Sequence, residues 1–122
     1  MNISTKPTGL VELTAGGPAG GTKYDDGKPA MALLPLHGVT AVAQVMTYGA
    51  NKYAAHNYLG GIAYLRLASA ALRHLFAWLR GEDIDPESKL PHLAHAAASL
   101  MMLIDMTVVH PSLDDRFKGG VK

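Results

Sequence analysis

The sequence predicts an all-α protein, a helical bundle of about three main helices that self-association completes. Three observations predict it. Apolar residues recur at three-and-four spacing over long stretches, as one face of a helix requires. Pro35, Pro86, Pro91 and Pro111 fall at the margins of those stretches. No run alternates apolar and polar residues as a half-buried strand does.

The elements follow in order. Residues 1–30 read as an irregular segment, because Gly16-Gly17-Pro18-Ala19-Gly20-Gly21 cannot hold a regular element. Lys23 to Pro29 is a turn-rich polar loop. The helical domain spans 31–110. Its first helix starts near Pro35 or His37 and runs to about Tyr53, with Val39, Val42, Ala43, Met46 and Ala50 on an apolar stripe. Asn57-Tyr58-Leu59-Gly60-Gly61 breaks that pattern. A second helix covers about 63–80, with Leu65, Leu72, Leu75, Phe76 and Leu79 on its apolar side, and Gly81 stops it. The connector 82–90 is acidic, and Asp85-Pro86 caps a single helical turn there. Pro91 opens a third helix to about residue 109, almost wholly apolar, with Pro111 beyond its end. The polar tail 111–122 is expected to fray.

A chain of 122 residues holds one domain, and 48% hydrophobic content suffices for a core. So short a chain buries a modest share of its surface, and three helices cover so apolar a third helix poorly. A homo-oligomer, dimer or tetramer, is the natural remedy. The net charge of +1 is too mild for a surface that coats nucleic acid. With no cysteine, a disulfide framework, a zinc ribbon and a thiol nucleophile are excluded. Lys6 is followed by Thr8, Gly9 and Glu12 instead of an apolar core, so the start does not read as a signal peptide. The apolar stretch 93–109 is short for a membrane span and carries His95 and Asp105. It reads as a buried helix, with no membrane partner.

Several groups bear chemistry. Arg66, Arg73 and Arg80 recur every seven residues and return to nearly one face. They form either a solvated cationic stripe or a guanidinium row suited to phosphate oxygens. His92 and His95 lie three apart at the start of an apolar helix. Two imidazoles there need partners, because burying them unpaired is costly. Four of the ten carboxylates, Glu82, Asp83, Asp85 and Glu87, fall within six residues between the histidine-bearing helices. Divalent ions need such oxygens, but acids before a helix also favour its dipole. Asp85 before Pro86 fits a cap; Glu82 and Asp83 do not.

An antiparallel hairpin of the second and third helices puts His92 near Glu82 and Asp83. His74 then lies about 9 Å below Arg80, nearer the level of His95 than of His92. The result is a seam of imidazoles and carboxylates with room for more than one ion. Mixed ligands of this kind suit Mn, Co, Fe or Zn, and Mg favours the carboxylates. Asp105 is expected to be buried and paired, with an arginine of the second helix or a group of a partner chain. Lys28 lies in the early loop. Lys52, Tyr53, His56 and Asn57 gather a cation, a ring, an imidazole and an amide, which either pack locally or contact a ligand.

Together these segments resemble a known family. They are Gly27-Lys28-Pro29 with Leu33-Leu34-Pro35, Tyr48 to Tyr53 with His56-Asn57-Tyr58, Ala71 to Leu75, Trp78 to Asp83, and Pro91 to Ala96. Their order and spacing over residues 23–105 are similar to those of the phage dATP/dGTP diphosphohydrolases, relatives of the all-α MazG-type nucleotide pyrophosphohydrolases. The resemblance implies metal-dependent hydrolysis of a purine deoxynucleoside triphosphate, dGTP or dATP, to the monophosphate and pyrophosphate, in the cytoplasm of an infected host cell. It implies a divalent ion, Mg or Mn foremost, held by some of His74, Glu82, Asp83, His92 and His95. Arg73, with Lys52 or Arg66, would face the triphosphate, and Lys28 also falls on the substrate side. Glu82 or a histidine would activate water, while Tyr53, His56 and Asn57 would hold base or sugar. The chain departs from the MazG-type pattern in having no Glu-x-x-Glu, and His92-Leu93-Ala94-His95 stands where the second carboxylate motif is expected. Two other readings remain: a His/Asp-type phosphohydrolase releasing phosphate or tripolyphosphate, and a non-enzymatic helical interaction module.

Overall fold

The computed structural model describes residue 21 and residues 24–118. The expected irregularity of residues 1–20 and the fraying of 119–122 lie outside the described residues. The chain divides into two compact units, Met1–Pro35 and Leu36–Lys122. In the first, Lys28 N–H donates to the Asp25 carbonyl at 3.0 Å, with Gly27 at φ +81° completing the turn. A 3-10 turn follows at Met31–Leu33.

The second unit holds three helices, α1 (Leu36–Lys52), α2 (Tyr64–Leu79) and α3 (His92–Val109). Among the described residues no strand occurs, so the all-α expectation stands. Helix α3 is central, packing along α2 and across α1. Val42 and Val45 of α1 meet Ala94 and Ala98 of α3 in one small core. Tyr64 and Leu67 of α2 meet Met106 of α3 in another, with Tyr58, Ile62 and Leu113 around them. The alanines matter, because small side chains let the helix axes approach closely.

The ends of the elements are set by local chemistry. Gly81, at φ +99°, ends α2 in a Schellman motif: Glu82 N–H donates to the Ala77 carbonyl at 3.0 Å and Gly81 N–H to Trp78 at 2.9 Å. The connector forms the expected single turn, with Lys89 N–H donating to the Asp85 carbonyl at 2.8 Å. Outside that turn Ile84 and Pro91 make an isolated antiparallel bridge. His92 N–H donates to the Asp83 carbonyl at 2.9 Å and Asp85 N–H to Leu90 at 2.9 Å. Backbone pairing across the loop neck satisfies the donors on either side of that turn.

One packing expectation is corrected. On α2 the buried residues are Tyr64, Leu67, Ala71 and Ala77, whereas Leu65, Leu72, Phe76 and Leu79 are exposed. At about 100° per residue the leucine stripe points roughly 130° away from the buried face. Helix α3 is the one helix among the described residues long and apolar enough to cross a membrane, and only 33% of it is buried. Leu93, Leu100, Met101, Ile104 and Val108 share its uncovered side. Among the described residues no fourth helix lies against it.

The start of the tail is better tied than expected. Asp115 Oδ1 accepts the Leu65 N–H at 2.9 Å, capping the first turn of α2. His110 Nε2 lies 2.7 Å from the Leu59 carbonyl oxygen, and donates to it. Gly61, at φ +113°, lets Leu113 close over it; a Cβ there would meet Leu113 Cδ1 at 3.0 Å.

Candidate active site

A cleft of about 850 Å3 opens beside the middle of α2. That size lies within the range of small-molecule pockets, roughly 300–1,000 Å3. His74 and His95 line it with Asp85, and Arg66 and Arg73 of α2 line it too. Arg66 and Arg73 also border a shallower recess with Leu65 and Ser69. Arg80 borders neither, so the sevenfold row contributes two of its three guanidinium groups.

One ligand atom each from His74, Asp85 and His95 falls within 4.8 Å of the others. Two ligands about 2.2 Å from one ion stand at most about 4.4 Å apart, so a small contraction seats a cation among them. The electrostatics suit one. Burial pushes the His74 pKa below its ordinary value, His95 and Arg73 push the same way, and Asp85 opposes them. Burial likewise lowers His95, against the pull of Asp85. Both rings are therefore held toward the neutral form that offers a lone pair. Burial of Asp85 works against its charge, but the Glu87 N–H and the two imidazoles outweigh it, and its pKa is lowered.

Helix geometry brings His74 to both other imidazoles. Its ring stacks on His95, with centroids 4.4 Å apart and planes 11° from parallel. Its Nδ1 also lies 2.9 Å from Nδ1 of His92. His74 meets His95 as its level on the helix predicts, and it also reaches His92, whose ring centroid lies 5.1 Å away. His92 is buried and leans from its own turn of α3 toward α2, bridging the difference in level. Glu82 Oε1 sits 2.6 Å from His92 Nε2. Asp83 meets His92 through its carbonyl, and its side chain is exposed. Glu82, Asp83 and His92 do not border the cleft.

From the sequence Asp85 fits a cap. It does cap locally, its Oδ1 accepting Glu87 N–H at 3.1 Å, while Oδ2 accepts from Ser88 Oγ at 3.3 Å. The same carboxylate lies 3.5 Å from His95 Nε2, which also contacts Ser88 Oγ at 2.6 Å. A carboxylate has lone pairs for both tasks. Glu87 of the acidic connector and Tyr48 of α1 join the site too, by a contact that their spacing does not reveal. Glu87 Oε1 accepts from Lys52 Nζ at 2.8 Å and from Tyr48 OH at 3.0 Å. The Tyr48 ring stands at 88° to the His95 ring, with centroids 6.3 Å apart.

Lys52, Tyr53, His56 and Asn57 all border the cleft, at the end of α1 and in the following loop. Lys52 lies 5.4 Å from the Tyr53 ring centroid. His56 adopts φ +60°, a left-handed conformation that non-glycine residues seldom hold without cause. Lys28 belongs to the first unit. Asp105 pairs with a phenol and not with an arginine: Tyr58 OH donates to its Oδ2 at 2.8 Å. The buried face of α2 presents Tyr64 and Leu67 toward this part of α3, which leaves Arg66 turned to the cleft.

Fold and site together define an all-α protein with a basic cleft holding a His-Asp-His group. The chain belongs to a particular family: residues 18–116 match the model of the dATP/dGTP diphosphohydrolase N-terminal region. It is similar to a dATP/dGTP diphosphohydrolase of Salmonella phage PMBT28, 35% identical over 96 residues, or 79% of this chain. The matched stretch makes up 33% of that relative, so the chain spans about a third of its length. No solved structure matches the chain.

Proposed function

We propose that this chain carries a metal-dependent site for hydrolysing a purine deoxynucleoside triphosphate, dGTP or dATP, to monophosphate and pyrophosphate. The observation that carries the reading is the His74-Asp85-His95 group in a cleft also bordered by Arg66 and Arg73. The name of the phage relative supports the substrate class. A role in phage nucleotide metabolism, in the cytoplasm of the infected host, goes with that reading.

His74, Asp85 and His95 would hold a divalent ion, Mg or Mn first, with Co, Fe or Zn compatible with imidazole ligands. Such an ion, when bound, supplies a Lewis acid for the phosphoryl oxygen and lowers the pKa of water. The reaction adds water at the α-phosphorus and breaks its bond to the bridging oxygen, releasing pyrophosphate. Arg73 and Arg66 neutralise the charge that builds on the phosphates. Lys52 is already compensated by Glu87, so it serves the rim of the cleft. Tyr53, His56 and Asn57 stand where a base or sugar would rest. Glu82 reaches this chemistry through His92, one ring behind the lining.

A second copy of the chain is the proposed cover for the uncovered faces of α2 and α3, giving a dimer or tetramer. Neither a nucleic acid nor a membrane is part of the proposal.

A His-Asp-His group also favours a second reading, a phosphohydrolase that releases phosphate or tripolyphosphate. Incubation of the protein with each deoxynucleoside triphosphate and Mn2+ or Mg2+ separates the two by product. Monophosphate with pyrophosphate supports the first reading, and tripolyphosphate or phosphate supports the second. No product from any purine nucleotide would sink both and leave a binding module.

A further inference from the structure

We infer that Glu82 and His92 are positioning residues, a carboxylate-imidazole relay that fixes the tautomer of His74 so that its Nε2 lone pair faces the Asp85-His95 group. The inference rests on the proposed metal site and deepens it. The distances define one chain of hydrogen bonds. Glu82 Oε1 is 2.6 Å from His92 Nε2, and His92 Nδ1 is 2.9 Å from His74 Nδ1.

The direction of each bond follows from what each atom can do. An ionised carboxylate only accepts, so His92 carries its proton on Nε2 and donates it to Glu82. A neutral His92 then has a bare lone pair on Nδ1. Two lone pairs 2.9 Å apart repel, so the hydrogen between the rings must belong to His74 Nδ1. That leaves His74 Nε2 unprotonated and free to bind a cation. Both nitrogens of His92 are used, which removes it from the ligand set.

The backbone holds the relay in place. His92 is buried, and its N–H is tied to the Asp83 carbonyl at 2.9 Å in the bridge that closes the connector. The Schellman turn at Gly81 fixes where Glu82 leaves α2. The side chain of Glu82 is 55% exposed, so removing it leaves no buried void. Partners that orient a metal-binding histidine typically contribute about 10–100-fold in metal affinity.

The test uses metal-free protein with 15N-labelled histidine at pH 8, where ordinary imidazoles are neutral. Long-range 1H–15N correlation should show His74 with its proton on Nδ1. In Glu82→Ala the proton should redistribute to Nε2, and Mn2+ affinity measured by calorimetry should fall by about 10–100-fold. A wild-type His74 protonated on Nε2, or a Glu82→Ala protein with the tautomer unchanged, overturns the relay. Failure of the metal site is separately visible: wild-type protein would take up no Mn2+ while His74 still carried its proton on Nδ1.

Discussion

The Asp85 carboxylate lies 3.5 Å from Nε2 of His95, at the neck of a connector whose two ends are bridged by backbone hydrogen bonds. That pairing makes Asp85 the one anionic member of the proposed ligand group. Asp85→Asn keeps the shape and the acceptor for Glu87 N–H but removes the charge. It is expected to weaken Mn2+ binding by more than the ~100-fold upper range for a supporting partner. Calorimetry measures this, and unchanged far-ultraviolet circular dichroism shows that the helices remain. Affinity equal to wild type would place the ion elsewhere.

Burial lowers the pKa of both His74 and His95 below the ordinary imidazole value. In the unfolded chain these rings take up protons near pH 6.5; in the folded chain they do so only at lower pH. Between the two, the unfolded state binds more protons, so stability rises with pH. The lowered pKa of Asp85 adds loss of stability at still lower pH, with the same sign. The melting temperature of metal-free protein should therefore climb from pH 5 to pH 7 and level off above. A His74→Asn/His95→Asn protein should show a flatter climb. A wild-type melting temperature that falls over this range contradicts the burial of the rings.

Asp115 caps α2 from the far end of the described chain. Losing such a cap costs about 1 kcal/mol, within a range of roughly 0.5–2. Asp115→Ala should lower stability by that amount in urea unfolding, and Asp115→Asn, which keeps an acceptor oxygen, by less. Equal losses in the two variants would mean that charge at the helix terminus outweighs the hydrogen bond.

Much of this fold was legible because its punctuation is chemical. Gly81 and Pro91 mark helix ends for reasons that hold anywhere, and the structure ends and starts helices beside them. The choice of face on α2 was not legible. Leucines dominate the sequence pattern, yet the buried residues are Tyr64, Leu67, Ala71 and Ala77, and hydrophobicity alone does not reveal which side a neighbour takes. At the site, helix arithmetic placed Glu82 beside His92, as found. Asp85 escaped because one residue does two jobs, and its cap role explained it fully from sequence. The Tyr58–Asp105 pair escaped because a contact across 47 residues leaves no local signal.

Arg73 borders the cleft next to His74 in sequence, whereas Arg80 lies outside it. If Arg73 stabilises charge developing on the phosphates, Arg73→Ala should lower kcat by about 100-fold, the scale of losing one preorganised donor. Arg73→Lys should recover only part, since an ammonium lacks the planar fork. Arg80→Ala should leave the rate near wild type. Steady-state kinetics on dGTP and dATP with Mn2+ measure all three. A rate loss at Arg80 equal to that at Arg73 would mean that the row acts through overall charge and not through contact.

The exposed stripes of α2 and α3 lead to the remaining prediction. Leu72, Phe76 and Leu79 on α2, with Leu93, Leu100 and Ile104 on α3, are all exposed, and large exposed apolar patches mark protein contacts. The stripe on α3 lies opposite its buried face, so a second copy can cover it without disturbing the cleft. Light scattering at micromolar concentration should report a dimer or tetramer. Leu100→Lys combined with Ile104→Lys sets like charges into that contact and should shift the protein to monomer. Those substitutions touch no ligand group, so Mn2+ binding that survives in the monomer would locate the metal site within one chain. Binding lost on dissociation would instead make the partner copy part of the site. A wild-type protein that scatters as a clean monomer removes the self-association altogether.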